Sequence, residues 1–254
     1  MINDIHIGPI TIHMYGIMIA LGVCAAVVVS SYRAKKKNLD ENVIFDLLLC
    51  AMAGGFLGTR ILFYLTVLPD IIANPSILWN FQEGYVVYGG VIGGILVSFF
   101  YCKKKKLPFL DYFDLVMPQV SLAQCLGRIG CFFAGCCYGR ETTLPIGITY
   151  THSDFAPNGV SLLPTQLISS LGDLCIFGIL LWYSNSKERA KGTVGAVYLM
   201  IYSLGRFCIE FLRADDRGAV GKLSTSQFIA IFLFAIGIVL YKVMSMRAKS
   251  QVEE

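Results

Sequence analysis

Charge is scarce in this chain, and histidine is scarcer. Lys, Arg, Asp and Glu make up 15% of its 254 residues, against about 25% in an ordinary soluble domain. That shortage excludes a disordered chain and an ordinary soluble enzyme. A net charge of +4 carried mostly by short loops is no nucleic-acid footprint, so no nucleic-acid partner is expected. The nine cysteines contain no Cys-x-x-Cys pair, which excludes the common zinc patterns. There is no phosphate loop, so no nucleotide is expected. The first apolar stretch has no basic region before it and positive charge after it, so a cleavable signal peptide is not expected.

Apolar sequence is what the chain has in plenty. Hydrophobic residues reach 56%, and the mean hydropathy is +0.64. Seven apolar segments stand out, at about 10–31, 43–67, 86–102, 112–134, 161–183, 194–212 and 225–244. Most approach the roughly 20 residues that a helix needs to cross hydrocarbon. The expected fold is an all-α integral membrane protein of about seven transmembrane helices, with 1–254 as a single transmembrane domain.

Lysine and arginine orient it. Arg33, Lys35, Lys36, Lys37, Lys103 to Lys106, Lys187, Arg189, Lys191, Lys242, Arg247 and Lys249 fall on one side, fourteen in all. Arg140, Arg213, Arg217 and Lys222 fall on the other. The reading puts the N-terminus outside and the C-terminus in the cytoplasm. Outside, residues 68–85 carry Pro69, Pro75, Trp79 and Tyr85, which suits an interfacial segment. Residues 135–160 mix Thr142, Thr143, Thr149 and Thr151 with the Asn158-Gly159 turn signal, so a small, partly β outer head is expected there.

Three arginines lie inside apolar segments, where charge is costly and points to function. Arg60, Arg128 and Arg206 each directly or nearly follow a glycine, each in a segment that runs outward, and each in its last third. One such arginine would snorkel to the headgroups. Three at one depth in the outer half point to an anion site, because a planar guanidinium fork matches phosphate. Arg206, Glu210 and Arg213 share a helical face, and Glu210 would neutralise or orient the arginines. Asp215, Asp216 and Arg217 follow. Tyr15 and Tyr88 sit near outer helix ends, where aromatic belts form.

Gly54 and Gly58, Gly89 and Gly93, Gly90 and Gly94, and Gly135 and Gly139 are four-spaced pairs suited to close helix packing. Gly89 and Gly90 would also leave room beside the backbone for a substrate. Cys24, Cys50, Cys102, Cys125, Cys175 and Cys208 are expected to be small buried hydrophobes. A metal site would have to use Cys131, Cys136, Cys137 and His152, in a spacing that matches no standard pattern. Small packing residues at a helix end are the expectation for the three cysteines, with no metal.

At this point a family pattern is visible. It runs through His13-Met14-Tyr15-Gly16, Leu57-Gly58-Thr59-Arg60, Tyr88-Gly89-Gly90-Val91-Ile92-Gly93 and Gly127-Arg128-Ile129-Gly130. It continues through Pro164-Thr165-Gln166 to Arg206-Phe207-Cys208-Ile209-Glu210-Phe211-Leu212-Arg213. Almost end to end, the chain resembles the prolipoprotein diacylglyceryl transferases of bacterial membranes. The resemblance implies transfer of a diacylglyceryl group from phosphatidylglycerol to the lipobox cysteine thiol of a prolipoprotein, giving a thioether and glycerol phosphate. It implies no cofactor. It implies a multi-pass protein of the cytoplasmic membrane, working toward the outer leaflet among membrane lipids. Arg128, Arg206, Tyr88 and Glu210 would be catalytic. Arg128, Arg60, Arg213, Tyr15, Gly89, Gly90 and Gln166 would bind substrate. Many members carry His where Tyr88 stands, Asn at Cys131 and Ala134, an acidic residue at Cys136, and Tyr-Glu after the glutamine motif.

Two other classes compete. A small transporter would carry its charges through the midplane, not in the outer half. A relative with altered substrate or no turnover, acting as a lipid or lipoprotein binder, would share the motifs but not release glycerol phosphate.

Overall fold

The computed structural model describes residues 4–7, 10–80, 84–186, 189–215, 218–221 and 223–253. Lys187, Asp216, Arg217 and Lys222, used in the charge reading, lie outside them. A hairpin, β1 (Asp4–Ile7) and β2 (Ile10–His13), leads into α1 (Met14–Lys36) and α2 (Asn42–Thr66). A short α3 (Leu68–Ala73) and a 3-10 turn (Pro75–Trp79) precede α4 (Val87–Lys105) and α5 (Phe109–Ala134). After the two-residue strands β3 (Ile148–Thr149) and β4 (Ser161–Leu162) come α6 (Thr165–Ser186) and α7 (Thr193–Glu210). Strands β5 (Ala219–Val220) and β6 (Leu223–Ser224) lead into α8 (Thr225–Glu253).

The seven apolar segments thus become seven long helices, and this is an all-α membrane protein. By length and composition α1, α2, α6 and α8 are each apolar enough to cross a bilayer. α4, α5 and α7 are cut short or interrupted by polar residues. Boundaries moved in three places. Residues 10–13 pair as a strand, 161–162 pair in the head, and α8 runs beyond 244. Large apolar side chains such as Val28, Leu65 and Trp182 are more than three-fifths exposed, as a lipid-facing surface requires.

The chain forms two compact units, Met1–Ser30 with Phe113–Glu254, and Ser31–Tyr112. In the second, α2 and α4 approach backbone to backbone. A β-carbon on Gly58 or Gly89 would collide with the carbonyl oxygen of the other. Gly89 and Gly90 therefore serve close helix packing, and the room expected there for substrate is filled by α2. The Tyr101 hydroxyl donates to the Asp46 carboxylate across the same pair. Lys106, at φ 56°, ends α4.

In the first unit, polar links hold α5, α6 and α7 together. The Ser121 hydroxyl donates to the Asp173 carbonyl at 2.9 Å. The Ser170 hydroxyl donates to the Cys125 carbonyl at 3.0 Å, and Tyr198 donates to the Gln124 side chain at 2.9 Å. The buried Asp114 carboxylate accepts from the amides of Gly192 at 2.6 Å and Gly195 at 3.0 Å, capping α7. A carboxylate is well matched to that helix end.

The expected small, partly β head is present. β3 and β4 pair antiparallel, bridges join Glu141 to Leu162 and Tyr150 to Asn158, and Tyr150, Ala156 and Leu162 form its core. One expectation fails. Cys102 and Cys125 are buried, but Cys24, Cys175 and Cys208 are exposed and Cys50 is half-buried. Cys208 lines a cavity, and Cys24 and Cys175 lie on the surface of their apolar helices.

Candidate functional site

A cavity of about 300 Å³ opens among α5, α6 and α7, with Arg128, Asp173, Tyr202 and Arg206 among its walls, beside Ile209 and Leu212. The sequence places Arg128 and Arg206 at one depth, and here they share one space. Each comes from a helix whose neighbours the interhelical hydrogen bonds above fix in place. Among the described residues Arg128 has no hydrogen bond or ion pair. Arg206 is held. Its Nη2 lies 3.0 Å from the Glu210 carboxylate one turn on, and donates to the Ser226 hydroxyl at 2.8 Å. Glu210 therefore orients Arg206.

Asp173, on α6, is the residue that sequence reasoning missed. It is 5% exposed, and its Oδ2 is buried with no hydrogen-bond partner among the described residues. Both Arg128 and Arg206 act on it electrostatically. An aspartate inside an apolar run carries the same signal as an intramembrane arginine.

Arg213 lies just past α7 and is bound by its own neighbour. Its Nε and Nη2 donate to the Asp215 carboxylate at 2.9 and 2.8 Å. Its guanidinium also hydrogen-bonds the Cys137 side chain. The Arg140 guanidinium donates to the Phe211 carbonyl, and the Arg140 amide donates to the Leu212 carbonyl at 3.0 Å. The head is thus tied to the end of α7.

The stretch after α5 folds back on it. Gly135, at φ 76°, reverses the chain, and Cys137 follows at φ 62°. The Gln166 amide donates to the Cys136 carbonyl at 2.8 Å, and the Thr165 hydroxyl donates to the Cys137 carbonyl at 2.8 Å. The Gln166 amide also lies 3.2 Å from the Tyr150 hydroxyl. Gln166 thus supports the turn from beneath. The sulfurs of Cys131, Cys136 and Cys137 converge within 4.8 Å of one another. His152 does not join them. Hydrogen bonds from Cys131 and Cys136, and then the Arg213 guanidinium, pull the Cys137 thiol down, whereas the same bonding pushes Cys136 up. Burial pushes the Tyr150 phenol up to about 12.

Tyr15 stands in the first turn of α1, 43% exposed. The three cysteines and Arg128 all act on its phenol. The first unit therefore brings Tyr15, Arg128, Asp173, Arg206, Glu210 and the thiols into one neighbourhood.

Arg60, Tyr88, Gly89 and Gly90 belong to the second unit. Arg60 is 4% exposed. Its Nη2 lies 2.6 Å from the Tyr64 hydroxyl, it contacts the carbonyls of Leu78 and Gly84 at 3.4 Å, and it lies over the Tyr64 and Tyr85 rings at 4.8 and 5.3 Å. This arginine is caged by Tyr64 and the segment between α2 and α4. Tyr88 is 41% exposed in the first turn of α4.

A sequence model of the prolipoprotein diacylglyceryl transferase family matches residues 4–243. The chain is 47% identical over 232 residues to the phosphatidylglycerol–prolipoprotein diacylglyceryl transferase of Clostridium tetani, covering 91% of this chain and 93% of that one. It is 43% identical over 244 residues to the second such transferase of Clostridium perfringens, covering 96% and 95%. A relative of the same name from Nostoc is 35% identical over 243 residues, covering 92% and 86%.

Proposed function

The chain belongs to the prolipoprotein diacylglyceryl transferase family, and on that premise we propose that it moves the diacylglyceryl group of phosphatidylglycerol to the lipobox cysteine thiol of a prolipoprotein. One observation carries this reading at the site. Arg128, with no ion pair among the described residues, and Arg206, oriented by Glu210, share a cavity with otherwise largely apolar walls.

The chemistry follows from what must break. The thiol gives up its proton to water, its sulfur attacks the glyceryl carbon, and the bond from that carbon to the phosphate oxygen opens. The phosphate gains a second negative charge as it leaves, so catalysis lies in donors aimed at that developing charge. Arg128 and Arg206 supply them, with Glu210 holding Arg206. The apolar wall from Ile209 and Leu212 suits the glyceryl end of the acyl chains. Tyr15 lines the approach beside the thiols. Tyr88, Gly89 and Gly90 shape the α2–α4 unit. Arg60 stiffens its interfacial loop and adds positive potential for an anionic headgroup, as Arg213 does at the end of α7. Gln166 places the cysteine turn.

We read the whole chain as one transferase domain of seven spans in the bacterial cytoplasmic membrane, with the cavity toward the outer leaflet. The fourteen-to-four division of Lys and Arg supports that orientation. Reporter fusions after Lys106 and at Glu254 should score as cytoplasmic, and one near Asn158 as outside. A cytoplasmic Asn158 would overturn the orientation. The activity is tested by complementing a strain without diacylglyceryl transfer and reading the mobility of a reporter prolipoprotein. Restored lipid modification is expected, and unmodified reporter beside well-accumulated protein would overturn the reading.

A further inference from the structure

The three cysteines after Arg128 are not spread over an apolar surface as packing residues would be. Cys131 leaves the last turn of α5, and the reversal at Gly135 returns Cys136 and Cys137 to it. All three sulfurs lie within 4.8 Å of one another. Neither carbonyl of the turn is loose, since Gln166 and Thr165 hold them at 2.8 Å. Cys137 adopts the left-handed region at φ 62°, which is unfavourable for a residue other than glycine. That conformation accompanies the convergence of its sulfur with the other two.

We propose that Cys131, Cys136 and Cys137 form a site for one thiophilic divalent cation such as zinc, with its fourth position open to the lipobox thiol. The inference rests on the transferase reading. Three sulfurs are the soft donor set that selects such ions. In a tetrahedral zinc site with bonds of roughly 2.3 Å, sulfurs stand about 3.8 Å apart, so the cluster needs to contract by only about 1 Å. Three protein ligands and one open position is the pattern of a site that handles substrate, not of a closed structural one.

The surroundings suit the charge that results. A dication with three thiolates carries one net negative charge, and a fourth thiolate makes it two. The Arg213 guanidinium already bonds the Cys137 side chain, and such outer contacts orient and tune a ligand sulfur. Cys131 and Cys137 are electrostatic neighbours of Arg128, an arginine that lines the cavity.

The site supplies what the transfer lacks. The nucleophile must be a thiolate, and no histidine stands before Gly89-Gly90. On the metal, the lipobox sulfur exchanges its bond to hydrogen for one to the cation, and the proton leaves to water. That sulfur then attacks the glyceryl carbon. The carbon–oxygen pair departs on the phosphate beside Arg128 and Arg206, and the neutral thioether, a weak ligand, dissociates. No electron changes hands, so neither oxidant nor reductant is required.

The test uses the full-length protein in lipid nanodiscs. Titrated with Cd²⁺, it should take up one ion per chain, read by the ultraviolet thiolate-to-cadmium charge-transfer band. Cys131→Ser, Cys136→Ser and Cys137→Ser should each weaken uptake by at least ~100-fold. Cys24→Ser, on the exposed side of α1, should not. X-ray absorption of zinc-loaded wild type should count three sulfurs at about 2.3 Å, and four once a lipobox peptide is added. Wild type that takes up no more Cd²⁺ than the triple serine variant overturns the site, whatever the variants' folding. A count that stays at three with peptide overturns the substrate position. Transfer assayed on the same samples separates the two readings. Full transfer by metal-free protein overturns this inference and leaves the activity standing. A fourth sulfur with no transfer supports the site and overturns the activity.

Discussion

Arg206 and Glu210 pair at 3.0 Å one turn apart on α7, with side chains 13% and 5% exposed. The same guanidinium nitrogen donates to Ser226 on α8 at 2.8 Å. The pair fixes one of the two arginines of the cavity against a second helix. Glu210→Gln removes the charge and keeps the shape, so Arg206 should lose its orientation. Loss of about 2 kcal/mol of transition-state stabilisation would slow turnover roughly thirtyfold, with little change in KM. Steady-state kinetics in mixed micelles checks this, and unchanged turnover would contradict it.

Among the described residues Arg128 has no such partner, and the proposed role gives its fork to the substrate phosphate. Arg128→Lys keeps the charge but loses the planar pair of donors. The variant should insert and accumulate normally while turnover falls about a hundredfold, a loss of about 3 kcal/mol. Near-full turnover in a well-accumulated variant would return Arg128 to snorkelling.

Asp173 offsets part of the positive potential that Arg128 and Arg206 create. Asp173→Asn should strengthen binding of the anionic headgroup before it strengthens the transition state. About 1 kcal/mol of extra ground-state binding would lower KM roughly fivefold and lower kcat with it. An unchanged KM would deny Asp173 a place at the phosphate.

How much of this is legible before the structure depends on the range of the signal. Arg128 and Arg206 could be placed together because helix direction and the counting of lysines and arginines set their depth, and depth is local to each helix. Asp173 escaped because the count followed basic residues only, although an acidic one in hydrocarbon carries the same cost. The convergence of Cys131 with Cys136 and Cys137 was hidden for another reason. It depends on the left-handed turn at Gly135 and on hydrogen bonds from Thr165 and Gln166, some thirty residues away. Gly89 and Gly90 illustrate an ambiguity in the residue itself. A missing side chain makes room for a ligand or for another backbone, and only the position of α2 decides.

That packing is itself testable. A β-carbon on Gly89 would collide with the Gly58 carbonyl oxygen and the Leu62 β-carbon. Gly89→Ala should therefore force α2 and α4 apart and cost about 1–3 kcal/mol. A lower midpoint in thermal unfolding of the detergent-solubilised protein is expected. An unchanged midpoint with lost lipid binding would instead restore a substrate role to Gly89.

Tyr88 bears on the proton. A phenol is a poor base near neutral pH, since its ordinary pKa is about 10. A hydrogen-bonding role toward the headgroup predicts that Tyr88→Phe keeps turnover within about tenfold of wild type. A variant that binds lipid normally but no longer transfers would make Tyr88 the proton acceptor.

Phosphate is expected to leave the glyceryl carbon as sulfur arrives, in the cavity of Arg128 and Arg206. The most direct measurement of this follows headgroup-labelled phosphatidylglycerol and a lipobox peptide with the purified protein. Wild type should release one glycerol phosphate for each thioether-linked peptide seen by mass spectrometry, and Arg128→Lys should depress both together. Glycerol phosphate released without thioether, or thioether formed equally well by Arg128→Lys, would contradict the account.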